Sequence, residues 1–377
     1  MTDTQATLMI AASESDSNLY YATRFVAPDP FIFIEIKGER LMVMSDLEMD
    51  RARSQATVDR VLSYSEVERR LRAQGLSEPG TADVVHAVLQ DQGVKSLLVS
   101  GAFPYIHAAK FLELGYRLST KKEPFFEQRV VKTAEEVRHI EAAQRATEAA
   151  VASAHRLLLT ATPRDGTLWL DGEPLTSERI KKLINVELME RDCVAQHTIV
   201  AGGEQACDPH HEGSGPLPAD RSIIFDVFPR SGSSRYFADM SRTVVRGKPS
   251  PELKKLHQAV KDAQEEAITK IRDGADGAAI HQGICARFES AGYRTELVNG
   301  RMQGYFHGTG HGVGLDIHEP PRISRTGSSL QEGHVVTVEP GLYYPGLGAV
   351  RIEDMVLVTR DGCRNLTNFP KTFELGS

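Results

Sequence analysis

The chain has 377 residues, which exceeds the size of one ordinary hydrophobic core and therefore predicts two domains. Its composition is that of a globular protein, with 41% hydrophobic and 25% charged residues, and its formal net charge is −7. That balance gives no sign of the basic surface that binds nucleic acid or anionic membranes. We therefore expect no nucleic-acid or membrane partner, and favour peptides or small molecules.

The N-terminal residues 1–17 lack a basic stretch followed by a long apolar run, and no run of about 18 apolar residues occurs anywhere. We expect neither a signal peptide nor a transmembrane helix. We expect a cytoplasmic location.

The cysteines form no CxxC pair, which favours free buried thiols over a zinc ribbon or a disulfide framework. They stand at Cys193, Cys207, Cys285 and Cys363.

The first 128 residues alternate strand and helix patterns, which is typical of an α/β domain. Residues 31–36 are apolar and rich in isoleucine and phenylalanine, and after a turn at 37–40 the chain returns at 41–44 as a hairpin. The domain shows neither a glycine-rich phosphate loop nor a catalytic cluster, so we expect it to support or shape a site elsewhere. Its further predicted elements are a helix at 81–92, a strand at 96–100 and a helix at 104–114.

Residues 129–377 mix long helices with strands joined by hairpins, which predicts an α+β domain. Thr133 and Glu136 fit a capping box ahead of a long amphipathic helix, and Ser250-Pro251 opens another helix with a capping serine and proline in the first turn. Predicted helices are 133–159, 175–190, one from 250 and 276–291; predicted strands are 223–228, 236–245, 335–339 and 349–358.

Four carboxylates stand within apolar strand patterns of this second domain, where an uncompensated charge is costly. Strand residues two apart face the same way, so Arg351 and Glu353 can enter one cavity together. Four converging carboxylates would repel one another in a pocket of low dielectric constant, and two divalent cations would cancel that charge. The four are Asp226, Asp239, Glu339 and Glu353.

Three histidines occur within twelve residues, at His307, His311 and His318, and glycine fills four of the intervening positions. Glycine allows backbone and ligand to approach closely, which favours a binding site over structural histidines. A dinucleotide-binding loop fits poorly, because the glycines do not complete GxGxxG after a clear strand. Oxygen ligands with one imidazole suit manganese, cobalt, zinc or iron.

With these motifs the sequence resembles the pita-bread metallopeptidases, which include Xaa-Pro aminopeptidase, prolidase and methionine aminopeptidase. The spacing HGxxHxxGLxxH is met by the three histidines, residues 338–341 read VEPG, and residues 351–354 read RIED. The resemblance covers nearly the whole chain, and residues 1–128 are similar to the N-terminal domain of creatinase. It implies an α+β fold with a creatinase-like α/β domain, 1–128, followed by a pita-bread catalytic domain, 129–377.

The family's metal ligands come in the order Asp, Asp, His, Glu, Glu, and the resemblance places them on Asp226, Asp239, His311, Glu339 and Glu353. Asp239 and Glu353 would bridge two metals, Asp226 would bind one metal, and His311 with Glu339 would complete the other. A water or hydroxide between the metals would be the nucleophile, and Glu339 would move its proton.

The spacing of the two aspartates departs from the family pattern, because twelve residues separate them, two more than usual. The extra pair fits the polar turn at 229–235, and a longer hairpin tip can keep both ligands in register. We keep both assignments.

Further roles follow from the same resemblance. His318 would hydrogen-bond the scissile carbonyl, and His210 would contact the scissile amide, with His211 as the competing choice. His307 would line the pocket for the residue after the cut. Arg351 would either orient a ligand carboxylate or bind the carboxylate of the substrate.

The resemblance implies a dinuclear metal-dependent exopeptidase that hydrolyses Xaa-Pro bonds, either an Xaa-Pro aminopeptidase or an Xaa-Pro dipeptidase. Its cofactors would be two divalent metal ions, with manganese expected and cobalt, zinc or iron as alternatives. Its substrate would be a peptide or dipeptide with proline after the cleaved bond, and the protein would be a homodimer. Specificity for proline is inferred from the presence of the first domain, because the methionine aminopeptidases that resemble the second domain lack such a domain. The alternatives are a metal-free creatinase-like C–N hydrolase, a non-catalytic interaction module, and a methionine-aminopeptidase-like specificity.

Overall fold

A computed structural model describes residues 4–376, and the chain divides into two units, Met1–Glu127 and Gln128–Ser377. The boundary expected after residue 128 differs from this division by one residue. Within the described residues, no helix has both the length and the apolar character needed to cross a membrane.

The first unit is built on a six-stranded mixed sheet in the order β4-β3-β2-β1-β5-β6. The central β1 pairs antiparallel with β2 and parallel with β5, so the sheet combines a hairpin with crossover connections. Its strands are β1 (Thr4–Ala11), β2 (Phe31–Ile36), β3 (Glu39–Met44), β4 (Arg60–Ser63), β5 (Val94–Ser100) and β6 (Arg117–Lys121).

Both faces of this sheet are buried, because β2 carries apolar side chains on each. Phe31 and Phe33 belong to one hydrophobic cluster, whereas Ile32, Ile34 and Ile36 belong to another. That pattern requires helices on both sides, as in other α/β domains. The helices are α1 (Ser17–Thr23), α2 (Met49–Gln55), α3 (Tyr64–Ala73), α4 (Thr81–Leu89) and α5 (Tyr105–Glu113), with a 3₁₀ turn at Gln90–Gln92.

The predicted hairpin between β2 and β3 is present. Lys37 and Gly38 both have positive φ, 53° and 86°, which is the tight turn whose twist matches that of the paired strands. The strand after the turn begins at Glu39, two residues earlier than the sequence predicted.

The second unit contains two principal sheets. One has the order β11-β12-β14-β24 and the other the order β18-β17-β19-β22-β23. The first contains β11 (Ile199–Gly202), β12 (Ile223–Val227), β14 (Met240–Arg246) and β24 (Glu374–Leu375); the second contains β17 (Gly310–Gly312), β18 (Glu319–Ile323), β19 (Val335–Val338), β22 (Asp354–Val358) and β23 (Cys363–Asn365).

Smaller pairings complete the strands of this unit. They are β7 (Thr162–Arg164), β8 (Thr167–Leu170) and β9 (Glu173–Pro174); β10 (Cys193–Val194) with β13 (Arg230–Ser231); β15 (Glu296–Val298) with β16 (Arg301–Gln303); and β20 (Gly341–Tyr344) with β21 (Gly348–Arg351).

Capping side chains start the long helices of this unit as predicted. The Thr133 hydroxyl accepts from the Glu136 amide and the Glu136 carboxylate accepts from the Thr133 amide. The Ser250 hydroxyl caps the helix that begins at Pro251. The helices are α6 (Ala134–Thr160), α7 (Ser177–Met189), α8 (Pro251–Lys270) and α9 (Gly277–Ser290), with 3₁₀ turns at Glu127–Arg129 and Gln205–Cys207.

The expected single strand at 349–358 is wrong in one respect, because it is two strands. β21 pairs with β20, whereas β22 pairs with β19 in the five-stranded sheet, and Ile352-Glu353 joins them. The Glu353 amide donates to the Ser241 carbonyl instead of to either strand partner. A chain that changes partners has to leave the ladder, so Glu353 lies at this crossing point.

The four cysteines are free. Cys193 and Cys207 are buried, and Cys285 and Cys363 are half-buried, so the prediction of unpaired thiols is confirmed for these residues.

Candidate active site

The five proposed metal ligands converge on one cavity of about 900 Å³ within the second unit. Asp226 lies in β12 and His311 in β17, whereas the other three stand directly beside strand ends. Asp239 precedes β14, Glu339 follows β19 and Glu353 precedes β22. The two principal sheets therefore supply side chains to the same space, although these residues are up to 127 positions apart in sequence.

Three of the five form a tight buried group. Asp239, His311 and Glu353 each offer a ligand atom, and these atoms all lie within 4.8 Å of one another. His311 Nε2 is 3.6 Å from Asp239 Oδ2 and 3.6 Å from Glu339 Oε1. Glu339 is therefore a fourth potential metal ligand, and it lies next to His311.

The atoms that face this group are hydrogen-bond acceptors. His311 Nδ1 is 3.1 Å from the Gly312 carbonyl, which can only accept, so the neutral ring carries its proton there and directs the Nε2 lone pair at the carboxylates. Asp239 Oδ1 and Glu353 Oε1 are buried without a hydrogen-bond partner among residues 4–376. Acceptors that face one another without donors are costly unless a cation lies between them, so these residues fit a metal.

The pKa values of the acids express the same repulsion. Burial raises the pKa of Asp239 and of Glu339 well above the usual range, and the charge of Glu353 adds to both shifts. Burial and the charge of Asp226 raise the pKa of Glu353 to about 8. Burial, followed by the charge of His318, lowers the pKa of His311 to about 3, which keeps the His311 ring neutral. Divalent cations would reverse the carboxylate shifts, because they favour the ionised forms.

A serine and an arginine hold two of the ligands from behind. Ser241 Oγ lies 3.0 Å from Asp226 Oδ1 and 2.9 Å from Glu353 Oε2, and it accepts a 2.9 Å bond from Arg351 Nε. Arg351 Nη2 donates to Asp226 Oδ2 at 2.7 Å. Arg351 is buried, and Nη1 donates to the Tyr343 hydroxyl and to the Pro209 carbonyl. Of the two roles considered for Arg351, these contacts fit the orientation of a ligand.

The first histidine of the motif, His307, takes part in a hydrogen-bonded chain. His307 Nδ1 lies 2.8 Å from the Gly308 carbonyl, and Nε2 lies 3.0 Å from the Tyr343 hydroxyl. Desolvation and the charge of Arg351 lower the pKa of His307 to about 3, so Nε2 accepts while Tyr343 donates. Tyr343 therefore links Arg351 to His307 on the cavity wall.

Two further histidines line the cavity. The His318 ring is partly exposed, and its centroid is 4.3 Å from that of His311 at nearly a right angle. His210 lines the cavity, whereas His211 Nδ1 accepts a 2.9 Å bond from the Gly213 amide. The structure therefore places His210 on the cavity wall and engages His211 in a local turn.

Sequence reasoning missed two residues near the site, Ser241 and Arg322. Ser241 begins a run of three buried polar residues in β14, Ser241 to Thr243, which is an unusual pattern for a central strand. Arg322 lies in β18 and lines the cavity together with Ser324 two positions later. Within the described chain, no carboxylate forms an ion pair with Arg322, so a positive charge faces the cavity.

Comparison with known proteins finds relatives of this chain by sequence. The second unit aligns with the model of metallopeptidase family M24 over residues 138–360. The chain is 29% identical over 289 residues to a protein named Xaa-Pro dipeptidase from Pyrococcus furiosus, an alignment that covers 76% of each chain. It is 36% identical over 178 residues to an uncharacterized peptidase of Bacillus subtilis, 46% of this chain and 47% of that one.

Solved structures share the architecture of both domains. An X-Pro aminopeptidase from Thermotoga maritima superposes with a TM-score of 0.79 at 24% identity, covering 98% of this chain and 97% of that one. An Xaa-Pro dipeptidase from Bacillus anthracis gives a TM-score of 0.82 at 22% identity, with 98% and 95% covered. The predicted α+β fold, an α/β first domain followed by a pita-bread domain, is confirmed. Because the family model matches more than half of the chain, this protein belongs to metallopeptidase family M24.

Proposed function

We propose that this protein is a metal-dependent exopeptidase that hydrolyses the bond before proline, with Xaa-Pro dipeptides as its main substrates. The observation that carries the proposal is the group of converging acceptors, with Asp239, His311 and Glu353 at its centre. A metal-free hydrolase of the same fold would have no use for buried acids without hydrogen-bond donors. The resemblance to a relative named Xaa-Pro dipeptidase supports the substrate class.

Two cations fit the arrangement better than one. His311 Nε2 lies 3.6 Å from both Asp239 Oδ2 and Glu339 Oε1, whereas Asp226 and Glu353 share the Ser241 hydroxyl. Asp239 and Glu353 are thus suited to contact both ions. The expected metal is manganese, with cobalt, zinc and iron as the alternatives that such a donor set accepts. Bound divalent cations would supply Lewis-acid chemistry and lower the pKa of water.

Glu339 is the proposed proton carrier. Its side chain keeps 19% exposure, against 6% for Asp239 and 4% for His311, so it is the acid of these that remains open to the cavity. With cations bound, Glu339 would be ionised, and an ionised carboxylate that is open to the cavity can accept a proton from the attacking water. The same group can return that proton to the leaving proline nitrogen.

His318 is proposed to donate a hydrogen bond to the scissile carbonyl. Partial desolvation, followed by the charge of Arg322, lowers the pKa of His318, so the ring is neutral near pH 7 and still carries one N–H. A donor preorganised at that oxygen stabilises the charge that develops during attack. His210 and His307 both line the cavity; His210 is proposed to contact the scissile amide, and His307 to line the pocket for the proline after the cut.

Arg322 supports a preference for dipeptides. Its guanidinium faces the cavity with no carboxylate partner within residues 4–376, and a free C-terminal carboxylate would supply one. A longer peptide presents an amide at that point and leaves Arg322 unpaired. Apolar side chains on the remaining wall suit the proline ring and the residue before it; they are Ile199, Phe228, Phe306 and Ile317.

Hydrolysis of a matched peptide series tests this proposal. Manganese-loaded protein is assayed with Ala-Pro, Ala-Pro-amide, Ala-Pro-Ala and Met-Ala-Ser. We expect Ala-Pro to be cleaved with the highest kcat/KM, with activity lost on chelation and restored by the metal. Arg322→Gln should narrow the preference for Ala-Pro over its amide, whereas the exposed Arg325→Gln, outside the cavity lining, should leave it unchanged. Cleavage of the methionyl peptide without cleavage of Ala-Pro would overturn the proposal.

The oligomeric state and location are proposed on the resemblance alone. We infer a homodimer in the cytoplasm, and light scattering on the purified protein tests the first of these directly.

A further inference from the structure

A buried cluster of charged side chains lies beside the site but outside the set of metal ligands. The Glu319 carboxylate contacts Lys132 Nζ through Oε1 and Arg129 Nη2 through Oε2, the latter at 3.0 Å. Arg129 Nη2 also contacts Asp316 Oδ2 at 2.7 Å. The side chains of Lys132, Arg129 and Glu319 are only 1%, 4% and 6% exposed. We call these four residues, Arg129, Lys132, Asp316 and Glu319, the Glu319 clamp.

The backbone that carries Lys132 is held by hydrogen bonds on both sides of this residue. The Lys132 amide donates to the Gly333 carbonyl at 2.8 Å, and Val131 forms a β-bridge with His334, just before β19. Thr133 follows immediately as the cap of α6. Because the backbone of residues 131–133 is fixed by these contacts, it provides a stable point against which Glu319 can be held.

The two anions of the clamp flank His318 in sequence, at positions 316 and 319, and the loop that carries them closes around the Glu319 carboxylate. The Gly314 amide donates to the Asp316 carbonyl at 3.1 Å, and the Asp316 amide donates to Glu319 Oε2 at 3.5 Å. A Cβ at Gly314 would come within 2.4 Å of Glu319 Oε1, so a larger residue there would displace the Glu319 carboxylate. Residues 314–319 thus form one compact turn whose centre is a carboxylate neutralised by two cations.

The His318 ring itself has little to orient it. Among the described residues, none makes a hydrogen bond to its ring nitrogens, and its principal ring contact is with His311 at 4.3 Å. Its direction is therefore set by the backbone on either side, which the clamp holds through Asp316 and Glu319.

We propose that Arg129 and Lys132 are positioning residues that act through Glu319 and Asp316 to hold His318 toward the scissile carbonyl. This inference rests on the proposed function, which assigns that contact to His318. It accounts for two buried cations on one carboxylate next to a catalytic centre whose ligands they do not touch. It also predicts that the effect of the clamp passes through His318 and not through metal binding.

A double-mutant cycle tests the route. Glu319→Gln keeps the volume of the side chain and weakens its contacts with Arg129 and Lys132. We expect kcat for Ala-Pro to fall by about 10- to 100-fold, with KM and metal content nearly unchanged. In a His318→Ala background the same substitution should cause no further loss. An equal loss in both backgrounds, or loss of metal from Glu319→Gln, would overturn the inference. Glu332→Gln, whose side chain is 57% exposed, is the matched control and should change nothing.

Amide hydrogen exchange provides a readout that does not depend on activity. In the manganese-loaded Glu319→Gln protein, peptides covering 312–320 should exchange about tenfold faster or more, while peptides from α8 should not change. Unchanged exchange in this segment would overturn the clamp. Asp316→Asn, at a half-exposed side chain, should shift exchange and kcat the same way by less, and it decides the question if Glu319→Gln does not fold. A wild-type protein that cleaves no Xaa-Pro peptide would defeat the proposed function alone, because the exchange result still decides the clamp.

Discussion

Arg351 Nη2 lies 2.7 Å from Asp226 Oδ2, and the side chains of both residues are largely buried. The same guanidinium donates from Nε to Ser241, whose hydroxyl also contacts Asp226 and Glu353. Asp226 and Glu353 are therefore oriented by one shared group, although Asp226 lies in β12 and Glu353 lies between β21 and β22. Such support from behind fixes the direction of ligand oxygens before a metal arrives.

Arg351→Lys tests that support. Lysine offers one ammonium group and cannot reproduce the fork that reaches Asp226, Ser241 and Tyr343 at once. We expect metal affinity to fall by about 10- to 100-fold, measured by competition with a chromophoric chelator. Arg364→Lys, at a half-exposed ion pair with Glu141, is the control and should keep the native affinity. Native affinity in Arg351→Lys would show that Arg351 does not orient the ligand.

Glu339→Gln tests the proton carrier. The substitution removes a ligand charge and the proposed base while keeping the size of the side chain. We expect kcat for Ala-Pro to fall by about 10²- to 10⁴-fold, because general base catalysis contributes in that range. Metal analysis on the same sample separates the two losses, and the exposed Glu289→Gln on α9 serves as the control. A variant that retains more than a tenth of the native kcat would exclude Glu339 as the base.

His318→Ala separates catalysis from metal binding. His318 contacts the ring of His311 but is not among the acceptors at the centre of the group. We expect kcat to fall by about 10²- to 10³-fold, the cost of one donor at the developing oxyanion, with metal content unchanged. His139→Ala, at a side chain that is 42% exposed on α6, should have the native kcat. Loss of metal from His318→Ala would mean that the role assigned to His318 is wrong.

His257 predicts a pH dependence of stability away from the site. Burial, followed by the charge of Lys261, lowers the pKa of His257 to about 4 from 6.5, and the ring stacks on Phe373 at 4.3 Å. Between these values the unfolded chain binds a proton that the folded chain does not, so stability is lost as pH falls from 6.5 to 4. The contribution is on the order of 3 kcal/mol.

His257→Phe should keep the stacking on Phe373 and remove this pH-dependent contribution to stability. Urea denaturation of both proteins between pH 4 and pH 7, at one metal concentration, gives the difference in the free energy of unfolding. As pH falls across this window, the free energy of unfolding of the variant should rise by about 3 kcal/mol relative to that of the native protein. Other buried histidines titrate in both proteins and cancel. A difference that stays constant with pH would show that His257 is not held neutral by the fold.

Several parts of the fold followed from local sequence. The capping residues Thr133 and Ser250 start their helices where predicted, and the hairpin at Lys37-Gly38 closes as its residues require. These features depend on interactions within a few residues, which a sequence displays directly. The strand at 349–358 was predicted as one element, because only the position of its two partners shows that the chain changes sheets at Glu353.

The sequence by itself indicated the side chains that converge on the cavity, since a carboxylate inside an apolar strand and a histidine among glycines are unusual enough to suggest a site. Only the tertiary structure decided which residues support them. Arg351 meets Asp226 across 125 positions, and Arg129 meets Glu319 across 190. Such contacts depend on the distance between segments that the fold brings together, and no local pattern encodes that distance.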